Sequence, residues 1–153
     1  MANDLVDAVV ELLEATPAVT TAFGDTWNQA AQTGVAKFFT DVVDQVPLPW
    51  CQIVELGETY DYMTIQDDGS IPFTSPGQML FSVYAADRYQ TRTLGMTIAT
   101  ALRDPTLIWP GTNLMMFRIQ SSRFQPVNQQ VGPGVPIVFN RIFIFDYMYS
   151  GDY

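Results

Sequence analysis

The sequence predicts an α+β fold: one domain with a mostly antiparallel four-stranded sheet, two main helices packed on it and a long projecting hairpin. Three observations carry this reading. Apolar and polar residues alternate with period two in several separate stretches. Two windows, one near the start and one from Arg88, hold their apolar residues at helical spacing. An Asp-Asp-Gly turn sits inside a proline-bounded segment between two of the strands. With 153 residues and 48% apolar content, the chain has enough material for a single core.

In order along the chain, Leu5, Val9, Leu12 and Leu13 mark a helix over Asp4–Thr16, with Asn3 or Asp4 as its cap and Pro17 closing it. The segment Ala18–Val46 has no sustained period and is read as irregular, with a short helix over Asp25–Gln32. Pro47 and Pro49 lead into the strand "WCQIVELGETYDYMT", and "QMLFSVYA" follows with Met79, Phe81 and Val83 on one face. Between them "IQDDGSIPFTSPG" forms the projecting tip of a hairpin. Thr91, Leu94, Ile98 and Leu102 then lie on one stripe of a helix over Arg88–Arg103, with small Gly95 and Ala99 permitting close approach to a sheet. In "LMMFRIQSSRF", Met115, Phe117 and Ile119 alternate with Arg118 and Gln120, predicting a half-buried strand. The turn "QQVGPGVP" precedes a last strand in which Ile137, Phe139, Phe143, Phe145, Tyr147 and Tyr149 share one face and Val138, Ile142 and Ile144 the other. Apolar residues on both faces predict a central strand or one covered by a neighbouring subunit.

The corner from "FSVYA" through Ala85, Ala86 and Asp87 into the following helix resembles places where proteins hold phosphates. It lacks the glycines that let several N–H groups converge on an anion, and Asp87 would repel one. Asp87 is therefore read as a helix cap.

Composition excludes several chemistries. There is no histidine, so Ser-His-Asp and Cys-His catalysis are ruled out, and any enzyme would have to work with carboxylates. A net charge of −9, from 16 acidic and 7 basic residues, opposes nucleic-acid binding through phosphate neutralisation. The single cysteine, Cys51, sits in an apolar strand and is read as a buried, inert thiol. No basic start followed by an apolar run marks a signal peptide, and no run reaches bilayer length, so a soluble protein made in a cytoplasm, with no membrane partner, is expected. Asp67 and Asp68 lack the alternating oxygens and distal glutamate of a calcium loop, so no metal is expected. Glu55, Glu58 and Asp61 form a carboxylate group from which an acid–base pair is conceivable, but exposed acidic decoration is the default. The tail "FIFDYMYSGDY" fits a core, a ligand pocket or an interface; its Phe residues are assigned to the core and Tyr147, Tyr149 and Tyr153 to an interface.

The order of parts carries a resemblance. An acidic helix ending "ATPAV", the strand "PLPWCQIVELGE", "FSVYAADR" running into a helix that ends "ALRDPTL", then "FRIQSSRF" and a long aromatic strand together resemble the tail completion, or tail terminator, proteins of long-tailed bacteriophages. The resemblance spans Leu5 to about Tyr147; the Ala18–Val46 segment and the Gln66–Gly77 tip depart from the family's compact pattern. It implies a non-enzymatic virion protein without cofactor, assembled in the bacterial cytoplasm as a hexameric ring at the head–tail junction. Its implied partners are other copies of itself, the major tail tube protein and a head–tail connector or neck protein, with DNA passing through the lumen without specific binding. Asp67, Asp68, Ile71 and Phe73 of the tip, and Tyr147, Tyr149 and Tyr153 of the tail, are the expected subunit or tube contacts. Another ring component of the neck, such as a head-closure protein, and a soluble ligand-binding domain or carboxylate enzyme remain open alternatives.

Overall fold

Asp4 starts the first helix by accepting the Asp7 N–H at 2.8 Å through its side chain, and α1 (Leu5–Ala15) follows with Leu5, Ala8, Val9 and Leu13 buried. The computed structural model describes residues 4–24, 26–28, 31–41, 47–103, 108–109, 112–125 and 138–152. Helix α1 stops before Pro17, as expected, but a second helix begins at once within the segment read as irregular. Pro17 occupies the first turn of α2 (Pro17–Phe23), where its missing N–H would have no intrahelical partner in any case, and Thr16 serves both as the C-cap of α1 and the N-cap of α2.

No helix forms between Thr26 and Asn28, where one was expected over Asp25–Gln32. Thr26 bridges Val35 and Asn28 bridges Thr33, giving a looped-back turn with Gln32 at positive φ and Gly34 beyond it. The chain then enters the sheet through β1 (Phe38–Phe39), which runs parallel to β2 (Trp50–Glu58).

The remaining strands are β3 (Asp61–Tyr62), β4 (Pro72–Ala85), β5 (Ile108–Trp109), β6 (Thr112–Gln125) and β7 (Phe139–Asp152). They form one sheet in the order β1-β2-β4-β7-β6-β5, with β3 continuing the β2 side of β4. All pairings except β1–β2 are antiparallel. Four long strands make up the body of the sheet, as expected, and three two-residue strands extend its margins. The helix α3 (Arg88–Ala101) leaves the end of β4 and packs back on β4 and β7, while α1 lies on β2 and α2 on α3.

Strand β4 begins six residues earlier than its alternation suggested, because two prolines and a glycine in "PFTSPG" obscured it. The carbonyls of Pro72 and Pro76 accept from Met63 N and Thr59 N, so both residues turn their N–H-less side towards the hairpin arm rather than towards β7. Pro76 thus falls at the break between β2 and β3, where a ladder bond is dispensable.

One face of the sheet carries the core. Ile53, Met79, Phe81, Val83, Phe143 and Phe145 share one buried cluster there with Leu94 and Ile98 of α3 and Val9 and Leu13 of α1, and each fully buried side chain of this kind is worth about 1.5–3 kcal/mol. The stripe Thr91, Leu94, Ile98 and Leu102 is buried in the expected phase. Gly95 makes the approach possible: a Cβ on it would lie 1.9 Å from Phe143 Cζ. Strand β7 is central, lying between β4 and β6, the first of the two expected alternatives. Cys51 is fully buried, and burial pushes its thiol well above the ordinary value, as suits an inert side chain. Among the described residues no helix is long and apolar enough to cross a membrane, and no cluster of three or more His, Cys, Asp or Glu forms a metal site. The "QQVGPGVP" turn, Ile137 and the Asp104-Pro105 helix stop lie outside the described residues.

Candidate interaction surface

The hairpin from β2 to β4 projects as expected, but its side chains are distributed differently. At Gly57, φ is +139° and the β2–β4 register shifts by one residue. This bulge returns Glu58 to the same face as Glu55, opposite Gly77. On β7, Tyr147 is the residue paired with Gly77, and its ring crosses over that glycine; a Cβ there would sit 2.5 Å from both Cζ and Oη.

The crossing carries the Tyr147 hydroxyl to two carboxylates, 2.9 Å from Glu55 Oε1 and 3.1 Å from Glu58 Oε2. Tyr149 donates to Glu58 Oε1 at 2.8 Å, and Tyr60 donates to the same oxygen. Burial first, then the adjoining carboxylates, raise the Tyr147 phenol far above the ordinary tyrosine value. Tyr149 is raised as well, by burial and then by its bonds to Tyr60 and Glu58. Glu58 is therefore an internal acceptor for three phenols rather than surface decoration. Glu55 is exposed and Asp61 faces solvent on β3, so the three carboxylates do not converge on a reacting position.

Tyr147 and Tyr149 are 1% and 6% exposed within the single chain and belong to its core. The expectation that they wait at the surface for a neighbouring subunit is corrected by this burial: their apolar rings complete the sheet's inner face, and their hydroxyls find partners within the fold. Tyr153 lies outside the described residues. Phe73 pairs with Tyr62 and sits against the rings of Tyr60, Tyr62 and Tyr149, and Ile71 is half-buried. Asp67 and Asp68 are exposed at the tip. There Asp68 Oδ1 accepts from Ser70 N at 2.9 Å and Ser70 Oγ at 2.6 Å, which lowers its pKa and shapes the turn around Gly69.

The apolar residues that the hairpin does present are ones the sequence did not single out. Met63 is 57% and Ile65 65% exposed, between Asp61 on one side and Asp67 and Asp68 on the other. A second surface lies on the helical layer. A groove of about 580 Å³ runs between the start of α2, at Thr16 and Ala18, and Arg92, Met96 and Ala101 of α3. Thr93, Thr97 and Thr100 donate their hydroxyls to carbonyls four residues back, at 3.2, 2.9 and 2.9 Å, and so offer chiefly methyl groups to this groove.

Charge is unevenly divided along the chain. Residues 1–87 carry thirteen of the sixteen acidic side chains and one basic one; residues 88–153 carry three acidic and six basic. No basic side chain lies between Lys37 and Arg88, and no acidic one lies in α3 or β6, whose Arg88, Arg92, Arg118 and Arg123 are exposed. The signal was present in the linear sequence, but net charge conceals it.

A solved structure has the same arrangement of elements. Over 96% of this chain and 95% of the other, at 15% identity and a TM-score of 0.59, the fold matches a chain of "Virion of native gene transfer agent (GTA) particle". No protein-family model matches the sequence, and no curated protein matches it. The likeness is one of fold, and it extends from end to end of both chains rather than over a shared half.

Proposed function

We propose that the protein is a structural virion component that forms a ring on the head-proximal end of a tail tube, stops tube growth and offers a surface for joining the head. The observation that carries this reading is the end-to-end fold likeness to a virion chain, together with the tail-terminator-like order of elements. Several features agree with it. The most organised polar cluster among the described residues, Glu55 and Glu58 with Tyr60, Tyr147 and Tyr149, serves the fold. The hairpin exposes apolar side chains beyond what the core requires. An acidic balance suits a ring around a DNA passage, since a repulsive lumen does not retain the genome.

Capping would require one ring face that imitates the next tube subunit and another that accepts no further one. Ring closure itself would be a heterologous contact repeated about an axis, with six copies as the tail-terminator resemblance implies. Its partners on either side would be the tube protein and the neck or connector protein.

Deleting the gene product in virion-producing cells tests the proposal. Tails of abnormal length or tails detached from heads are expected, and normal virions without any copy of the protein would overturn it. Placing the fold in a map of the virion separates the tube end, as proposed, from a connector position, which would make it a neck ring instead.

A further inference from the structure

We propose that the acidic hairpin tip of one copy seats in the α2–α3 groove of the next, so that the contact that closes the ring sets the tip's carboxylates beside the Arg92-bearing face of α3. This rests on the ring reading above and names the surfaces that the ring would use.

Two observations carry it. The tip has an apolar centre, Met63 and Ile65, flanked by Asp61, Asp67 and Asp68, with no basic residue in the whole hairpin. The groove has the complementary pattern: an apolar floor with Met96 half exposed, threonine methyls along one wall and Arg92 at its margin, on a helix with no acidic residue after its cap. Within its own chain the hairpin strand β3 pairs with β4, and the groove lies across the helical layer.

Electrostatics selects the mode of assembly. A two-fold contact of tip with tip would bring like carboxylates together, and one of groove with groove would oppose arginines; both are penalised. Tip to groove juxtaposes unlike charges while covering apolar area on both sides. Because the two surfaces differ, the contact is heterologous and propagates from copy to copy until a ring closes. A protein of net charge −9 that must meet copies of itself gains most from such a division.

Cysteine cross-linking tests this, since the one native thiol, Cys51, is fully buried. A chain with both Ile65→Cys and Met96→Cys, treated with a short bis-maleimide, should give a ladder of covalent oligomers. An equimolar mixture of the two single variants should stop at dimers, because each pair has only one reactive junction. Arg92→Glu should raise the concentration for half-assembly by about tenfold or more, and Asp67→Lys with Asp68→Lys in the same chain should recover part of that loss. Arg118→Glu, away from the groove, should have a smaller effect. If the wild-type protein associates in sedimentation but the double-cysteine chain gives no covalent product, or its tip couples only to a tube subunit, the tip-to-groove contact is wrong and the ring reading stands. If the wild-type protein stays at 17.1 kDa at every concentration and does not bind tail ends, the ring reading fails and this contact with it.

Discussion

The two ends of β7 bury aromatic side chains on the same face by different means. At Phe143 the ring lies under α3, and the gap is closed by removing a side chain from the helix at Gly95. At Tyr147 the ring crosses a strand instead, over Gly77, and its hydroxyl reaches the carboxylates of Glu55 and Glu58. At the first end the ring itself is held by shape, with buried Asn140 nearby donating to Ser82 Oγ and Val83 O at 2.8 and 3.2 Å. The second combines shape with a hydrogen-bonded network, and the hairpin that emerges beside it carries the exposed Met63 and Ile65. One end thus serves stability, while the other anchors a projection that the core does not require.

Substitutions at the Phe143 end should have the largest effects. Ile98→Ala, which empties a fully buried site beneath α3, is expected to cost about 2–5 kcal/mol in chemical denaturation, and a change within error of zero would break the comparison. Gly95→Ala places a methyl group inside the enclosed Phe143 ring and should cost about 1–3 kcal/mol.

At the other end, Tyr147→Phe keeps the ring and removes one donor, for an expected loss of about 1 kcal/mol. The same network has a pH signature. A phenol whose folded pKa is raised contributes its full stability below the unfolded value, near pH 10, and loses it as the pH climbs beyond that point. Melting temperatures should therefore decline above about pH 10 in the wild type. In a Tyr147→Phe, Tyr149→Phe variant the decline should be shallower. An equal decline in both would show that the network does not couple to folding.

The smallest folding effects belong to the tip. Ile65→Ser and Asp67→Asn should each leave stability within about 0.5 kcal/mol of wild type, because neither side chain supports the core. Phe73→Ser is the contrast: its ring packs against Tyr60, Tyr62 and Tyr149, so thermal melting should register it while the other two leave no trace.

Much of the covered end was legible in the sequence. The phase of α3 follows from its spacing, its cap from Asp87, which accepts from Tyr89 N and Gln90 N at 2.7 and 3.1 Å, and the close approach from Gly95. Such features depend on neighbours in sequence. Pro17 was ambiguous because proline both stops one helix and starts the next, and only the turn at Thr16 decides between them. The tyrosine end was misread for a different reason. An aromatic residue with a polar tip suits an interface or a core equally, and the acceptors that decide it lie about 90 positions away in sequence, at Glu55 and Glu58. Gly57 and Gly77 were the available signals, since a bulge and a ring crossing both favour glycine, but their significance depends on strand register. Likewise Phe73 was chosen as a tip contact for its apolar character, although its pairing with Tyr62 sets its ring against Tyr60, Tyr62 and Tyr149; Ile71 is half-buried, and Met63 and Ile65 are the more exposed.

The mass of the assembled protein, alone and on purified tails, tests the central claim most directly. A closed particle whose mass is one fixed multiple of 17.1 kDa, located at one end of each tail, is the expected result. A 17.1 kDa species at all concentrations, absent from tail ends, would contradict the account.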